Sequence, residues 1–569
     1  MNFSKILDFG KSQLKTICAA FIAAMVLVGC GGGGDININP VTNDNSQDNS
    51  TAAPVVATNP CATYVDNGAT FIGDFDASTG DCTYPQTFAD VGNNMMVNLL
   101  IPELDDGGAH IFKGSLFMGP SCSTNACLTT NGIAKGGDGP TLTIEAGATL
   151  AWESKEKFLV INRGSKIIAI GTKDKPITLT STSQLNGTAA FDAVQQWGGV
   201  VIDGFGVTNK CTYTGTRGTD LALTGECHVE SEGSEGESAN YYGGDNDADN
   251  SGRLEYVRTM HTGAEVVTGN ELNGITFGAV GSGTVVKNLE IYSSYDDGIE
   301  MFGGAVNFEN YVAMYVRDDS IDIDEGYIGT ITNALVIQNQ YDGNRCIEAD
   351  GIGSYSKKTD AFIADMQTRG LNSAPTIKNL TCIVSPNGVK DADDAENVNK
   401  QGTHDPGAGW RLREGIYPTI TDALVVSSFG PAIDSGNWCI RVDDTAASAG
   451  FATGAAKINT SVFACETKSS KTIAGEDVNV FLAKAANGGN VFADVTAGGL
   501  NATATADTGL VLLEGTPPIY SVPGATSTPS ITPTSGDVVG ALSTAGTDWT
   551  ADWTYGIHEG ARGAALWFE

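Results

Sequence analysis

Histidine and basic side chains are scarce in this chain. Five His and 32 Lys+Arg stand against 67 Asp+Glu, a formal charge of −35. A field of that sign repels nucleic acid and anionic membrane surfaces, and it favours divalent cations. Charged residues of all kinds make up only 17%. Beyond the N-terminal segment no long stretch sustains a 3.6-residue apolar period, which argues against a helical protein. The apolar run Ile17 to Val28 is too short for a membrane-spanning helix, which needs about 20 such residues. There is no GxxxxGKS phosphate loop, nucleophile elbow, nucleotide fingerprint or basic nucleic-acid patch. No Cys-x-x-Cys or Cys/His cluster has zinc-ligand spacing.

What is abundant is glycine, 72 residues, set between β-branched runs. The middle of the chain repeats itself. One unit is Asn followed by alternating apolar residues: Asn288-Leu289-Glu290-Ile291, Asn310-Tyr311-Val312, Asn333-Ala334-Leu335-Val336, Asn379-Leu380-Thr381-Cys382, with later variants at Asp422 and Asn459-Thr460. The Asn steps are 22, 23 and 46, and 46 reads as two turns of 23. A second unit ends in Ile-x or Ile-acid: Gly274-Ile275, Gly298-Ile299-Glu300, Ser320-Ile321-Asp322, Cys346-Ile347-Glu348, with steps of 24, 22 and 26. Two strands per 22–26 residues in fixed phase describe the rungs of a parallel β-helix. Alternation stacks Ile, Val and Leu inside the coil. Asn and Gly tolerate the positive φ of tight corners, and Asn there is expected to bond the next turn's backbone. A β-propeller ranks second, because its blades repeat at about 40–45 residues.

The segment 141–204 extends the pattern through Leu142-Thr143-Ile144-Glu145, Phe158 to Asn162 and Trp197-Gly198-Gly199-Val200. Here the chain resembles the pectate-lyase-like superfamily of right-handed β-helix proteins. More narrowly it resembles bacterial surface lipoproteins with a Thr-Ile-Glu-x-Gly opening (Thr143 to Gly147), a Trp-Gly-Gly strand (Trp197 to Gly199) and a Trp-Thr-x-x-Trp-Thr ending (Trp549 to Thr554). The expected fold is all-β: a right-handed parallel β-helix over 141–465, an N-terminal cap over 61–140, and irregular turns with a C-terminal cap over 466–569. Long insertions are expected at 205–252, 349–375 and 391–408.

Lys5, Lys11 and Lys15 precede the apolar run, which ends in Leu27-Val28-Gly29-Cys30. That ending resembles the lipobox of bacterial lipoproteins. It implies a signal peptide over 1–29, cleavage before Cys30 and acyl chains on Cys30, a firm anchor without a protein helix. Loss of three Lys and one Asp with the signal brings the charge to about −37. By the same resemblance Gly31 in place of Asp implies the outer membrane, and the likeness to surface lipoproteins implies exposure at the cell surface, with the leaflet left open. Residues 30–60, rich in Gly, Asn, Asp, Ser and Thr, read as a flexible tether. Ten further cysteines fall in neighbouring pairs: Cys61 and Cys82, Cys122 and Cys127, Cys211 and Cys227, Cys346 and Cys382, Cys439 and Cys465. In an exported protein an even count suggests disulfides, with sequential pairing as the first guess.

The sharpest constellation is acidic. Asp296, Asp297 and Glu300 lie one turn before Asp318, Asp319 and Asp322, with Asp324 and Glu325 adjacent and Glu348 and Asp350 beyond. Like charges one rung apart repel. A cation neutralises them, or some hold protons, or water separates them; hard oxygen ligands at this density suit Ca²⁺. Asp245-x-Asp247-x-Asp249-x-Ser251 is a second Ca²⁺ candidate. It departs from an EF-hand at Asn250 and Tyr256, and a polar loop is its other reading.

Catalysis is the rival reading. Asp297, Asp318 and Asp319 resemble the carboxylates of β-helix polygalacturonases, but the Gly-His-Gly and Arg-x-Lys motifs of those enzymes are missing, and His110, His228, His261, His404 and His558 lack that context. A lyase would need Ca²⁺ and a base such as Arg317, Arg345, Arg411 or Arg413; Arg411-Leu412-Arg413-Glu414 reads more simply as a strand with outward ion pairs. Tyr292, Tyr295, Phe302, Tyr311, Tyr315 and Tyr327 recur on the acidic turns, and those facing outward would stack on sugar rings. The sequence reading is therefore a lipid-anchored envelope protein. Its expected role is non-catalytic, adhesion or the binding of a glycan or other envelope component, with calcium as its rigidifying ion, and a polysaccharide-cleaving enzyme, a lyase or a glycoside hydrolase, is the alternative.

Overall fold

The Ile-acid unit builds one wall of a coil. The computed structural model describes residues 59–133, 139–234, 238–267, 270–340, 343–385, 408–427, 438–465, 467–494, 511–513, 519–520, 539–542 and 548–568. The signal segment, Cys30, nearly all of the tether, His404 and the acidic run 391–396 lie outside these. Ten strands, from Leu116–Met118 to Thr467–Ser470, stack in chain order and in parallel. Ile275 pairs with Ile299, and Ile299 pairs with Ile321. Their side chains are fully buried, each on the one below.

The Asn unit forms the facing surface. Strands Gly252–Thr262, Val285–Ser294, Asn307–Met314, Thr330–Ile337 and Thr376–Ile383 pair in parallel. Each is bent at the same corner by a residue in the left-handed region, Tyr256, Asn288, Asn310, Asn333 and Asn379, with φ of 50–62°, and the first two bend again at His261 and Ser293. Asn is the side chain best suited to that conformation. The amides bond one another rather than the next backbone: Asn310 Nδ2 donates to Asn288 Oδ1 at 2.9 Å, and Asn333 Nδ2 donates to Asn310 Oδ1 at 3.0 Å. The 46-residue step is also different from expectation. Thr332 pairs directly with Lys378, so it is one turn carrying an excursion that includes helix Asp360–Thr368. A parallel coil tolerates such excursions because the connections between strands lie outside the stack.

The rungs begin earlier and end later than the sequence suggests. Leu99–Ile101 pairs with Thr141–Ile144, His110–Phe112 with Thr149–Trp152, and Leu116–Met118 with Phe158–Ile161. At the other end Thr467–Ser470 and Val491–Phe492 still add to the walls. These strands are two to four residues long, too short to show a period. The described C-terminal residues, 539–542 and 548–568, are not found at the end of the coil. They lie along its side, where Ile557, Leu566 and Phe568 cover Tyr292, Met314, Leu335 and Ile337. The apolar triplet Leu335-Val336-Ile337 explains this, since a strand buried on both faces is apolar at successive positions.

Disulfides join Cys61–Cys82, Cys122–Cys127, Cys211–Cys227, Cys346–Cys382 and Cys439–Cys465. Cys346 and Cys382 lie on different walls and meet in the core. The 205–252 insertion is pinned to the coil by buried Arg163. Its guanidinium donates to the carbonyls of Cys122 (2.8 Å), Cys227 (2.9 Å) and Gly243 (2.7 Å). In the Trp-Gly-Gly strand a side chain at Gly199 (φ +113°) would strike the Asn273 carbonyl, its Cβ only 2.1 Å away. Beside it Trp197 lies flat on Trp152, centroids 4.4 Å apart.

Candidate functional site

Asp296-Asp297 and Asp318-Asp319 sit in the turns that lead into strands Ile299–Phe302 and Ile321–Asp324. Gly298 N–H donates to the Asp319 carbonyl, and Asp319 N–H donates to Asp297 Oδ1, both at 2.9 Å. The turns are thus clipped together, and their acids stack rather than splay. Along the strands Glu300 pairs with Asp322, and Asp322 with Glu348, all on the outward face.

Two acids arrive from elsewhere. Glu232 comes from the long insertion and Glu271 from the hairpin formed by Ala264–Val267 and Asn270–Leu272. With Asp296, Asp297, Glu300, Asp318, Asp319, Asp322 and Glu348 they line one cavity of about 300 Å³, together with Asn344, Arg345 and Arg411. Nine carboxyl groups therefore face two guanidinium groups. Sequence reasoning missed Glu232 and Glu271, because neither belongs to a repeat.

Burial comes first in the electrostatics of this site. It pushes the carboxyls of Asp296, Asp297, Glu300, Asp319 and Asp322 well above the usual range, and neighbouring acids add to it: Asp318 beside Asp296, Asp296 beside Asp297, Glu232 beside Glu300, Glu348 beside Asp319 and Asp322. Glu232 is raised mainly by burial too. Neutral donors satisfy part of the set: Asn273 Nδ2 donates to Glu300 Oε2 and Asn344 Nδ2 to Asp318 Oδ1, each at 2.6 Å. Arg411 is already shared between Glu348 (2.9 Å) and Asp443 (2.7 Å). Asp319 is only 3% exposed, and its Oδ1 has no hydrogen-bond partner among the described residues. A buried, unsatisfied carboxylate oxygen costs several kcal/mol of desolvation unless a cation or proton meets it.

Within the cavity the oxygens converge in two groups. Asp296, Asp297 and Asp318 each place a carboxylate oxygen within 4.8 Å of the other two, and so do Asp297, Asp319 and Asp322. Asp324 does not join them. It lies one column over, opposite Phe302, and its Oδ1 accepts from Glu325 N–H at 2.8 Å. Glu325 is turned away to Lys210 (2.8 Å), Tyr242 and Thr208. Asp350, raised to about 7 chiefly by burial, is held by Arg413.

The second Ca²⁺ candidate is not assembled. Asp247 is clasped by Arg217 (2.7 Å) and accepts from Val207 N–H, while buried Asp249 accepts from Phe205 N–H at 3.1 Å. Asp245, Asp247 and Asp249 are not among the converging carboxylate groups of the described residues. Asp247 and Asp249 tie the insertion to itself, through Arg217, Val207 and Phe205. The aromatic platform is also overturned. Tyr311 and Tyr327 are inside the coil, Tyr292 and Tyr315 belong to the cluster under the C-terminal residues, Phe302 packs on Tyr242, and Tyr295 is buried. Five of the six are thereby closed off from a sugar ring, while Phe302 still lines a cavity of about 350 Å³ beside Lys210 and Glu325.

The model of the pectate-lyase-like β-helix domain matches residues 123–511. The chain belongs to the pectate-lyase-like β-helix family. No curated protein and no solved structure matches it. Family membership agrees with the parallel walls and covers every acid of the cavity; it leaves the activity open, since one fold hosts many. Among the described residues no helix is long and apolar enough to cross a membrane. The Arg-Leu-Arg strand of this β-helix forms outward ion pairs, Arg411 with Glu348 and Asp443, Arg413 with Asp350. Arg345 is fully buried and lies over the Trp438 ring, 5.1 Å from its centroid.

Proposed function

We propose that this chain is a lipid-anchored protein of the outer membrane, held through Cys30. Its β-helix binds Ca²⁺ on the acidic rungs and uses that face for adhesion, or to bind a glycan or another envelope component, without catalysis. One observation carries the reading: nine carboxyl groups and two arginines around a single cavity, with a buried Asp319 oxygen unmatched. All-oxygen donors suit Ca²⁺, which accepts six to eight ligands in flexible geometry. An ion held there would neutralise the face and leave positions open to hydroxyl or carboxylate groups of a ligand.

Three carboxylate oxygens converging within 4.8 Å suit a cation, whereas a glycosidase needs two carboxyl groups held about 5–5.5 Å apart when retaining or about 6.5–9.5 Å apart when inverting. Arg345 and Arg411 on the same cavity favour a lyase as the second reading. Arg411, however, is engaged by two carboxylates and is no free base.

A glycan array probed with and without Ca²⁺ tests the proposal. Calcium-dependent retention is expected, and no retention on any glycan or envelope extract sinks it. A reducing-end and unsaturated-product assay on uronate polymers separates the second reading. Turnover lost in Asp319→Asn with the fold intact would replace binding by catalysis. The anchor is tested by mass spectrometry of the N-terminal peptide. Acyl chains on Cys30 are expected, and an unmodified cysteine removes that part.

A further inference from the structure

The calcium reading leaves open how many ions the cavity takes, and the two oxygen groups bear on that. They overlap in one residue, Asp297. Asp296 and Asp318 come together with it on one side, Asp319 and Asp322 on the other, and the five do not form a single group. A carboxylate has two oxygens and about four lone-pair sites, so one Asp can face two cations. Asp297 is placed for this by its neighbours. Its N–H is donated to Asn273 Oδ1 (3.1 Å), and its Oδ1 receives Asp319 N–H (2.9 Å). The backbone therefore fixes the shared carboxylate between the two turns.

We propose that the cavity binds two Ca²⁺ ions that share the Asp297 carboxylate, one completed by Asp296 and Asp318, the other by Asp319 and Asp322. This rests on the calcium reading above and goes beyond it in number and in the shared ligand. Two further observations support a pair. Asp319, whose buried Oδ1 has no hydrogen bond, belongs to the second group only, so an ion at the first group would leave that residue unmatched. The cavity of about 300 Å³ holds the volume of roughly ten waters, room for two ions with part of their hydration. Calcium fits better than magnesium, which demands near-octahedral geometry and dehydrates reluctantly.

The test uses the full chain stripped with EDTA and titrated with CaCl₂ by calorimetry. Bound metal is counted by elemental analysis after gel filtration. Two ions per chain are expected for the wild type. Asp296→Asn and Asp322→Asn should each leave one. Asp297→Asn should weaken both by at least about tenfold, since each loses a charged ligand. Circular dichroism checks the fold of each variant, and the wild-type count stands whether or not a variant folds. One ion in the wild type overturns the pair and leaves the calcium reading standing. No ion overturns both. Two ions with one of them undisturbed in Asp297→Asn overturns the shared ligand.

Discussion

Two outward faces of the same coil have opposite fates. The face built from the Asn-unit strands carries Tyr292, Met314, Leu335 and Ile337, and the C-terminal residues cover it. The face built from the Ile-acid strands carries Glu300, Asp322 and Glu348, and a polar insertion arches over it. Inside, the two walls are alike: Ile, Val and Leu stacked in register. The inward positions therefore specify the fold, and the outward ones decide what each wall is for. The apolar face is completed by the chain itself. Among the described residues the acidic face is completed only by two arginines and a few amides.

The comparison breaks most visibly at the covering segment. Trp553 is fully buried, donates from Nε1 to the Trp549 carbonyl at 2.7 Å, and meets Tyr256 edge-on. Trp553→Ala is expected to cost about 3–5 kcal/mol in urea unfolding, the usual range for an emptied aromatic site. Calcium affinity should stay within about twofold, because the segment belongs to the other face. A matching loss of calcium binding would mean that the faces are not independent. Next in size is the bridge between the walls. Replacing both Cys346 and Cys382 by Ala is expected to remove about 2–4 kcal/mol, again by urea unfolding. Its strands lead to both faces, so ANS binding and calcium affinity should both respond. A response confined to one face would show that the wall, not the bridge, holds it.

Calcium itself sharpens the contrast. At about one hundred times its Kd, an ion that binds only the folded chain adds about 2.7 kcal/mol, read as a higher melting temperature that EDTA reverses. Trp553→Ala should keep the whole gain, and Asp297→Asn should lose at least about half of it. A gain that survives Asp297→Asn would place the ion elsewhere.

Much of this was legible in the residues. The Asn and Ile periods identified the walls because one residue type recurs at one corner, and Ile299 and Ile321 are neighbours on adjacent rungs. The stacked dipeptides Asp296-Asp297 and Asp318-Asp319 followed from the same 22-residue step. Features outside the repeat were not legible. Glu232 and Glu271 reach the cavity from an insertion and a hairpin, whose paths depend on tertiary contacts. The short strands before 141 and after 465 have too few residues to show alternation. Of the six aromatics, Tyr311 and Tyr327 point into the coil, as strand alternation allows, while Tyr292 and Tyr315 are covered by C-terminal residues far away in the sequence. Asp247 looked like a calcium ligand by spacing, yet Arg217, thirty residues earlier, claims it.

The smallest expected effect concerns pH, and its sign separates the acidic face from an ordinary solvated surface. The carboxyls of Asp297, Glu300, Asp319 and Asp322 are raised in the folded chain, burial being the first cause. Unfolded, they titrate at about 4. Between those values the folded chain holds more protons than the unfolded one, so their contribution to stability is complete below pH about 4 and falls as pH rises. Carboxylates in salt bridges behave the opposite way, as Asp443 should, lowered by Arg411 and Arg441 despite its burial. The whole-chain profile mixes both kinds, so the difference between wild type and Asp319→Asn isolates the site. In EDTA the variant should gain about 1 kcal/mol on the wild type between pH 5 and 7.5, since a tenfold change in proton affinity between the two states corresponds to about 1.4 kcal/mol. In saturating Ca²⁺ the order should reverse, because the ion needs the ionised Asp319. A difference that stays flat with pH in EDTA would mean that Asp319 is ionised and solvated in the folded chain. The acidic face would then need no cation to complete it.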